Sequence, residues 1–315
     1  MKILFVFAGQ GYHENNLFDI FRTDQKAMSL LKIFSAAAKI DFLRSDLQIT
    51  NPSSIQCIIG TYQSTLFARL IPLFTDHQVD LIGYSLGEVN AFLASIGASP
   101  KESIKLLSYR TQIMTSIVKK NGLEEYDLLS IIGKFTLEEI QTILEKHNCY
   151  TAIINSNQHI VIGGKVSDLK KLAKELSKYH LTHAKFLEIH LPSHTPFYAD
   201  ESKLFQEFLN EHWRLDSLRY SIISPLELNK VYNAEKEKVL LSQELYSTIQ
   251  WHSVCNLISE YQYNLIIDLG PGESMTNILT ASNVELSNTQ IVTASRYNSL
   301  KGLYRTITSF TSSCQ

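Results

Sequence analysis

Unbroken apolar runs alternate with segments of helical periodicity along most of the chain. The first run, Lys2–Phe7, is β-branched and aromatic throughout, which is typical of a strand buried on both faces of a parallel sheet. Further buried strands are predicted at the run ending in Gly83, at Tyr220–Ile223, at Leu265–Leu269 and at Ile291–Ala294. Helices are predicted at Leu17–Phe21, Gln25–Ala38, Ser54–Phe74, Val89–Ser95, Lys101–Val118, Ser193–Leu209, Leu240–Glu260 and Leu300–Phe310. This alternation predicts an α/β fold with a doubly wound, mostly parallel sheet and an α/β-hydrolase-like core.

The pattern changes between Tyr126 and Leu191. Here the predicted elements follow the order β-α-β-β-α-β, which is the ferredoxin-like unit. They are Leu128–Ile132, Thr136–His147, Tyr150–Asn155, His159–Ile162, Ser167–Tyr179 and Ala184–Ile189. We therefore expect a large catalytic domain at residues 1–126 and 191–315, and a small ferredoxin-like α+β subdomain inserted at 127–190.

The segment Gly83-Tyr84-Ser85-Leu86-Gly87-Glu88 joins a predicted strand to a predicted helix. Two glycines around a serine permit a sharp strand-to-helix turn that holds the hydroxyl exposed above the sheet edge. The first amides of the next helix then point at whatever binds there, so they can stabilise an oxyanion. Ser85 is the candidate nucleophile, although an ordinary glycine-rich βα turn has the same pattern.

A serine nucleophile needs a base, and the chain has ten histidines. His194 lies between two prolines, Pro192 and Pro196, at the predicted junction of the two domains, where a cleft is expected. The constrained backbone favours a positioned group, although a loop histidine bonded to backbone fits the same pattern. The competing candidates for the base are His159, His190 and His252.

Two further residues fit a site of this kind. Gln10 lies in Gly9-Gln10-Gly11 after the first strand, so its amide is expected at the same sheet edge as that of Leu86, where the two amides form an oxyanion hole. Arg110 lies on a half-apolar helix, where a guanidinium needs an anion. A structural salt bridge and a clamp on a substrate carboxylate both satisfy that need.

Composition excludes several classes of protein. A net charge of −2 gives no reason to expect nucleic acid or an anionic membrane as a partner. The four cysteines, Cys57, Cys149, Cys255 and Cys314, are far apart in sequence, so neither a zinc site nor a disulfide framework is expected. The sequence has neither a signal-like segment nor an apolar run of membrane length, and reduced thiols fit the same compartment, so a cytoplasmic protein is expected. No bound metal is expected.

Taken together, the motifs resemble those of the malonyl-CoA:acyl-carrier-protein transacylase family, in the family's order and over nearly the whole chain. They are Phe7-Ala8-Gly9-Gln10-Gly11, Gly83–Glu88, Tyr109-Arg110 with Met114, Asn155-Ser156-Asn157, Val161-Ile162-Gly163-Gly164, Pro192-Ser193-His194, Gln250-Trp251 and Gly270-Pro271-Gly272. The resemblance implies a Ser-His acyltransferase that carries no permanent cofactor. Malonyl-CoA would be the donor, and the phosphopantetheine-type thiol of an acyl carrier protein the acceptor.

The resemblance also implies roles for single residues. Ser85 would carry the acyl group, and His194 would be its base and later its acid. A backbone carbonyl near Gln250 would orient the histidine, and the amides of Gln10 and Leu86 would form the oxyanion hole. The substrate-binding residues would be Arg110, which pairs with the malonyl carboxylate, together with Gln56 and Asn155.

Some residues depart from the pattern of the transacylases. Tyr84 stands where the family usually has histidine, and Thr195-Pro196 follows the catalytic histidine. These residues resemble the malonyltransferase subunit of malonate decarboxylase, in which case other subunits of that complex would be partners. A thioester acyl hydrolase of a polyketide-type pathway is a further alternative, which Arg110 opposes because such hydrolases typically lack it.

Overall fold

The computed structural model describes residues 1–11, 16–44, 47, 52–120, 124–282 and 284–313. Within them the chain forms two compact units. The first unit comprises Met1–Tyr109, Leu218–Ile223 and Ile258–Gln315, and the second comprises Arg110–Ser217 and Ser224–Leu257. Cys314 and His13 lie outside the described residues.

Strands and helices are numbered along the chain. The strands are β1 (Lys2–Phe7), β2 (Gln78–Gly83), β3 (Tyr126–Lys134), β4 (Tyr150–Ser156), β5 (His159–Lys165), β6 (His180–Phe186), β7 (Ser217–Ser224), β8 (Asn229–Asn233), β9 (Leu265–Asp268) and β10 (Gln290–Thr293). The α-helices are α1 (Gln25–Ala38), α2 (Pro52–Leu70), α3 (Leu86–Ile96), α4 (Pro100–Lys120), α5 (Leu137–Lys146), α6 (Val166–Leu176), α7 (Ala199–His212), α8 (Ala234–Glu244), α9 (Trp251–Tyr261), α10 (Ser274–Ala281) and α11 (Leu300–Ser313). Short 3₁₀ helices lie at Asp19–Phe21, Ile71–Phe74, Pro196–Tyr198 and Ala294–Arg296.

The first unit is built on a parallel sheet with the strand order β10-β9-β1-β2-β7. The central strand β1 is buried from Ile3 to Phe7, which explains its unbroken apolar sequence. Phe7 pairs with Gly83, and Val6 pairs with Asp268. The loops after β1, β2 and β9 therefore leave the sheet at the same edge, as a doubly wound α/β fold requires.

One side chain connects the loops at this edge. The amide nitrogen of Gln63, on α2, donates to the carbonyl oxygens of Ala8 at 2.8 Å and Gly270 at 2.6 Å. Its side-chain oxygen accepts from Nδ2 of Asn90, on α3, at 2.6 Å. Because these groups are buried, unsatisfied carbonyls here would be costly, and Gln63 satisfies one on each loop.

The second unit contains an antiparallel sheet with the order β4-β5-β3-β6. Its elements follow the predicted order β-α-β-β-α-β, and this part of the fold prediction is confirmed. Leu144 of α5 and Leu169 of α6 share a buried core with Leu129, Ile160 and other apolar residues of the sheet. The second unit extends beyond residues 127–190 on both sides, so the boundaries predicted for the subdomain stay a prediction.

Several element boundaries differ from the predictions. Strand β6 spans His180–Phe186, whereas Ala184–Ile189 was expected, because the amides of residues 188–190 bond to Asp127 and so cannot continue the ladder. The expected helix Leu240–Glu260 is two helices, α8 and α9, since Ile249 between them pairs with Ile153 of β4. Helix α7 begins only at Ala199, and the sequence analysis did not predict β8 or α10.

Candidate active site

Ser85 lies at the sharp turn between β2 and α3 and has φ 57° and ψ −114°. A positive φ is strained for a residue other than glycine, and such strain is a feature of nucleophile turns. The flanking glycines are sterically required. A Cβ on Gly83 would lie 1.9 Å from the nitrogen of Glu88, and one on Gly87 would lie 2.0 Å from the carbonyl oxygen of Phe7.

The loop after β1 packs directly against this turn. The amide of Tyr84 donates to the carbonyl oxygen of Phe7 at 3.0 Å, and a Cβ on Gly9 would lie 2.8 Å from the carbonyl oxygen of Tyr84. Gln10 is half-buried beside this contact, and Leu86 is buried at the start of α3. The first unit thus brings together the loops that carry both predicted oxyanion-hole residues, whose role stays a prediction.

His194, in the second unit, is held at two points. Its amide donates to the carbonyl oxygen of Leu245 at 2.9 Å, and its ring Nδ1 lies 2.6 Å from the carbonyl oxygen of Glu244. Because a carbonyl oxygen only accepts, Nδ1 must carry the hydrogen in this contact. The lone pair is then on Nε2, which is the tautomer that a general base needs.

The carbonyl that orients the histidine differs from the expected one. The expected position was near Gln250, whereas the oxygen 2.6 Å from Nδ1 belongs to Glu244, six residues earlier. Gln250 lies between α8 and α9, where its amide donates to the carbonyl oxygen of Pro225 at 3.3 Å. The difference arises because α8 ends at Glu244, which leaves the carbonyls of its last turn without helical partners.

Burial controls the charge of the imidazole. It lowers the pKa of His194 to about 3, an effect that the hydrogen bond to Glu244 opposes and the positive charge of Arg110 reinforces. The ring is only 1% exposed. His194 is therefore neutral at physiological pH and able to accept a proton.

Arg110 is buried on α4, in the same unit as His194. Burial lowers its pKa to about 10, against the opposing effect of Tyr198, so the guanidinium still carries its charge at neutral pH. Tyr198 donates its hydroxyl hydrogen to the carbonyl oxygen of Met114 at 3.0 Å, and burial raises its pKa. A buried cation needs nearby acceptors or an anion to offset the cost of its desolvation, and the pairing of Arg110 with a substrate carboxylate stays a prediction.

The segment that carries His194 is fixed by a buried carboxylate. Oδ1 of Asp127 accepts from the amides of Ile189 at 3.0 Å and His190 at 3.3 Å, and Oδ2 accepts from that of Glu188 at 3.2 Å. Glu188, His190 and His194 all have positive φ values. Asp127 therefore holds a strained turn just before His194, and this contact could not be predicted from local sequence because it spans some sixty residues.

The remaining candidates have separate environments. Gln56 on α2 and Asn155 on β4 are both buried, which suits amides that bind a ligand, although their role stays a prediction. His159 binds Oγ of Ser130 at 3.0 Å and Nδ2 of Asn155 at 3.4 Å through the same nitrogen. His190 is exposed. Four histidines were candidates for the base. In the described part of the chain, His194 is the one of these four that is buried and has a short hydrogen bond from a ring nitrogen to a main-chain carbonyl oxygen.

The described residues also bear on metal binding and on membrane insertion. Within the described part of the chain, no group of three or more His, Cys, Asp or Glu side chains is arranged to hold a metal ion. No helix formed by these residues has the length and apolar character needed to cross a membrane.

A strained serine at a strand-to-helix turn and a carbonyl-oriented neutral histidine are the groups that acyl-transfer enzymes use. Residues 63–299 match the family described as "Acyl transferase domain", and the chain belongs to this family. It is 28% identical over 208 residues to the malonyl CoA-acyl carrier protein transacylase of Buchnera aphidicola, covering 64% of each chain. The chain thus spans about two thirds of the length of that relative.

Two solved structures share the fold. One is the malonyl-CoA:acyl carrier protein transacylase of Helicobacter pylori, with a TM-score of 0.86 and 22% identity, covering 98% of both chains. The other is a malonyl-transacylase in complex with its type II PKS acyl-carrier protein, with a TM-score of 0.80 and 18% identity, covering 93% of this chain and 95% of that one. Similarity at these identities shows the α/β fold with its small subdomain.

Proposed function

We propose that this protein transfers a malonyl group from malonyl-CoA, through an acyl-Ser85 intermediate, to the thiol of an acyl carrier protein. The observation that carries the proposal is the buried Arg110 in the same unit as the carbonyl-oriented His194. A neutral base and a fixed buried cation suit an acyl group that ends in a carboxylate. The names of the relatives and of the structural neighbours point to the same reaction.

The first half-reaction forms the acyl-enzyme. Oγ of Ser85 attacks the thioester carbonyl of malonyl-CoA while Nε2 of His194 takes its proton. The amides of Gln10 and Leu86 donate to the oxyanion of the tetrahedral intermediate. When the intermediate collapses, the carbon–sulfur bond breaks and the imidazolium returns the proton to the CoA sulfur.

The second half-reaction reverses these steps with a different thiol. The phosphopantetheine sulfur of the carrier attacks the acyl-serine, and Nε2 of His194 takes the thiol proton. As the ester bond breaks, that proton passes to Oγ of Ser85, so the free enzyme is restored. An acyl carrier protein is thus the proposed partner, as in the complex of one structural neighbour with its carrier.

Substrate selection is proposed to depend on three buried side chains. Arg110 binds the malonyl carboxylate through its guanidinium, which presents paired donors in one plane. Gln56 and Asn155 supply amide groups to the same acyl group. An acetyl group would leave the cation without the anion, so donors that lack a terminal carboxylate are rejected.

No permanent cofactor is required for these steps, and we place the protein in the cytoplasm. The location rests on the described cysteines Cys57, Cys149 and Cys255, which are buried and form no disulfide with one another.

The test is to incubate the protein with malonyl-CoA labelled in the malonyl group and to map the label by peptide mass spectrometry. We expect one label, on Ser85, that transfers to added carrier protein faster than to water. Ser85→Ala is the control and should take up none. A comparison with acetyl-, methylmalonyl- and succinyl-CoA as donors measures the selectivity for the acyl group. Absence of label on the intact protein would contradict the proposal, and transfer mainly to water would favour a hydrolase.

A further inference from the structure

Glu244 contacts the catalytic histidine through two different groups. Its backbone carbonyl accepts the Nδ1 hydrogen bond at 2.6 Å. Its side chain approaches the same nitrogen, with Oε1 3.9 Å from Nδ1. That distance is too long for a hydrogen bond but short enough for a strong interaction between opposite charges. One residue therefore supplies both a neutral acceptor and an ionisable acid to the same imidazole.

The environment of this carboxyl group is unusual. Glu244 is 3% exposed, and its Oε2 has no hydrogen-bond partner within the described residues. A buried acid without compensating hydrogen bonds destabilises a fold. A stabilising role does not explain such a residue at the end of α8, whereas a role in the chemistry of His194 does.

The other titratable groups to be weighed lie on four elements. Arg110, on α4, acts on His194 with a positive charge that disfavours the imidazolium. Tyr198, in a 3₁₀ helix, is electrostatically coupled to Arg110 and to Glu201 on α7. On α8 itself, Glu237 is buried seven residues before Glu244, on the same helix face and about 10 Å away along the axis. Among these groups, Glu244 is the acid for which a contact with the imidazole is seen.

The reaction makes the imidazole positive twice in each cycle, because His194 accepts a proton in both half-reactions. Burial and the charge of Arg110 both raise the free energy of this imidazolium. A negative charge 3.9 Å away lowers it. The carbonyl of Glu244 can fix the tautomer, but a neutral carbonyl does not supply this charge.

We propose that Glu244 is a positioning residue for His194 whose carboxylate, when ionised, stabilises the imidazolium formed during acyl transfer. The proposal rests on the proposed function, since it requires His194 to act as the base. Burial raises the pKa of Glu244 well above its ordinary value, so the carboxylate forms only as the pH rises. The contribution of the Glu244 side chain to the rate of acyl transfer must therefore grow toward alkaline pH.

The test measures the rate of Ser85 malonylation in a single turnover between pH 6 and pH 9. Wild type is compared with Glu244→Gln, which keeps the carbonyl and nearly the same volume but cannot ionise. We expect the two rates to be similar at the acidic end and to differ about tenfold at the alkaline end, in favour of wild type. Using the acylation half-reaction avoids the titration of the carrier thiol.

Glu237→Gln is the matched control, because it removes an equally buried acid from the same helix without touching the imidazole. Its ratio to wild type should stay constant with pH. Should Glu244→Gln fail to fold, Glu244→Asp retracts the acid by one methylene, and a smaller alkaline gain is expected. A rate ratio of wild type to either Glu244 variant that is independent of pH overturns the proposal. Failure of wild type to take up label would instead overturn the proposed function.

Discussion

The methyl group of Thr195 occupies the space that a side chain on Gly163 would need. A Cβ on Gly163 would lie 2.6 Å from Cγ2 of Thr195, closer than real Cβ contacts allow. Thr195 directly follows His194, and its hydroxyl donates to the carbonyl oxygen of Pro192 at 2.5 Å. The glycine on β5 therefore lets the segment that carries the histidine lie close to the small sheet.

Gly163→Ala should displace this segment and lower the rate of acylation. Overpacking of this kind costs about 1–3 kcal/mol, and a misplaced base should lower kcat at least about tenfold. Single-turnover malonylation and thermal unfolding measure the two effects. Gly302→Ala is the control, because its Cβ would meet no atom closer than 3.6 Å and should leave acylation unchanged. An unchanged rate in Gly163→Ala would mean that Thr195 can move without moving His194.

Asp127→Ala should release the strained turn at residues 188–190. The substitution removes the acceptor of the amides of residues 188–190 and of Leu128, so we expect a loss of about 2–4 kcal/mol in the free energy of unfolding. Because the turn leads to His194, kcat should fall more than KM rises. Urea unfolding and steady-state kinetics test this. Equal stability of the variant and wild type would show that water replaces the carboxylate.

Glu237 should make the protein less stable as the pH rises. Burial raises its pKa to about 8, above an ordinary value of 4.5. The folded state therefore holds a proton that the unfolded state loses, so stability is complete below about pH 4.5 and declines up to about pH 8. The slope for one group is at most about 1.4 kcal/mol per pH unit.

Glu237→Gln should remove the part of the pH-dependent loss in the free energy of unfolding that Glu237 causes. We expect the variant to gain stability over wild type between pH 6 and pH 8, as measured by urea unfolding at the two values. A pH dependence equal to that of wild type would contradict the prediction. Glu244 titrates in the same direction, so part of the decline remains in the variant.

Arg110→Ala should abolish the preference for malonyl over acetyl donors. Loss of a buried charge contact corresponds to about 10²–10³-fold in kcat/KM for malonyl-CoA, with little change for acetyl-CoA. Arg305→Ala, which removes an exposed arginine of α11, is the control and should leave both values unchanged. If malonyl selectivity survives in Arg110→Ala, another group binds the carboxylate.

Much of the fold follows from local pattern. The prediction of Gln25–Ala38 as a helix is confirmed at both ends, because Asp24 caps the amide of Ala27 at 2.8 Å and Lys39 leaves the helix with a positive φ. Strand β1 is confirmed with the same bounds. These elements begin and end at signals that lie within their own sequence.

Other features depend on contacts between distant parts of the chain. Nothing local interrupts the helical pattern across residues 245–250. There Thr248 donates to the carbonyl oxygen of Thr151 at 2.7 Å, and Ile249 pairs with β4, so the helix breaks. For the same reason the acceptor for His194 could not be assigned from sequence, since it depends on where α8 ends. The spacing of Glu237 and Glu244 around Leu240 and Leu241 was a usable signal, because it places two acids on an apolar helix face.

The bonds of Gln63 bear on any attempt to change which acyl group the protein accepts. Its one amide group spans the loops after β1 and β9 and also contacts the helix that follows Ser85. A loop exchanged singly from another acyltransferase must therefore place a carbonyl oxygen within reach of the amide of Gln63. The two loops and α2 therefore act as one structural unit. A graft that carries all three should keep the geometry of the turn at Ser85.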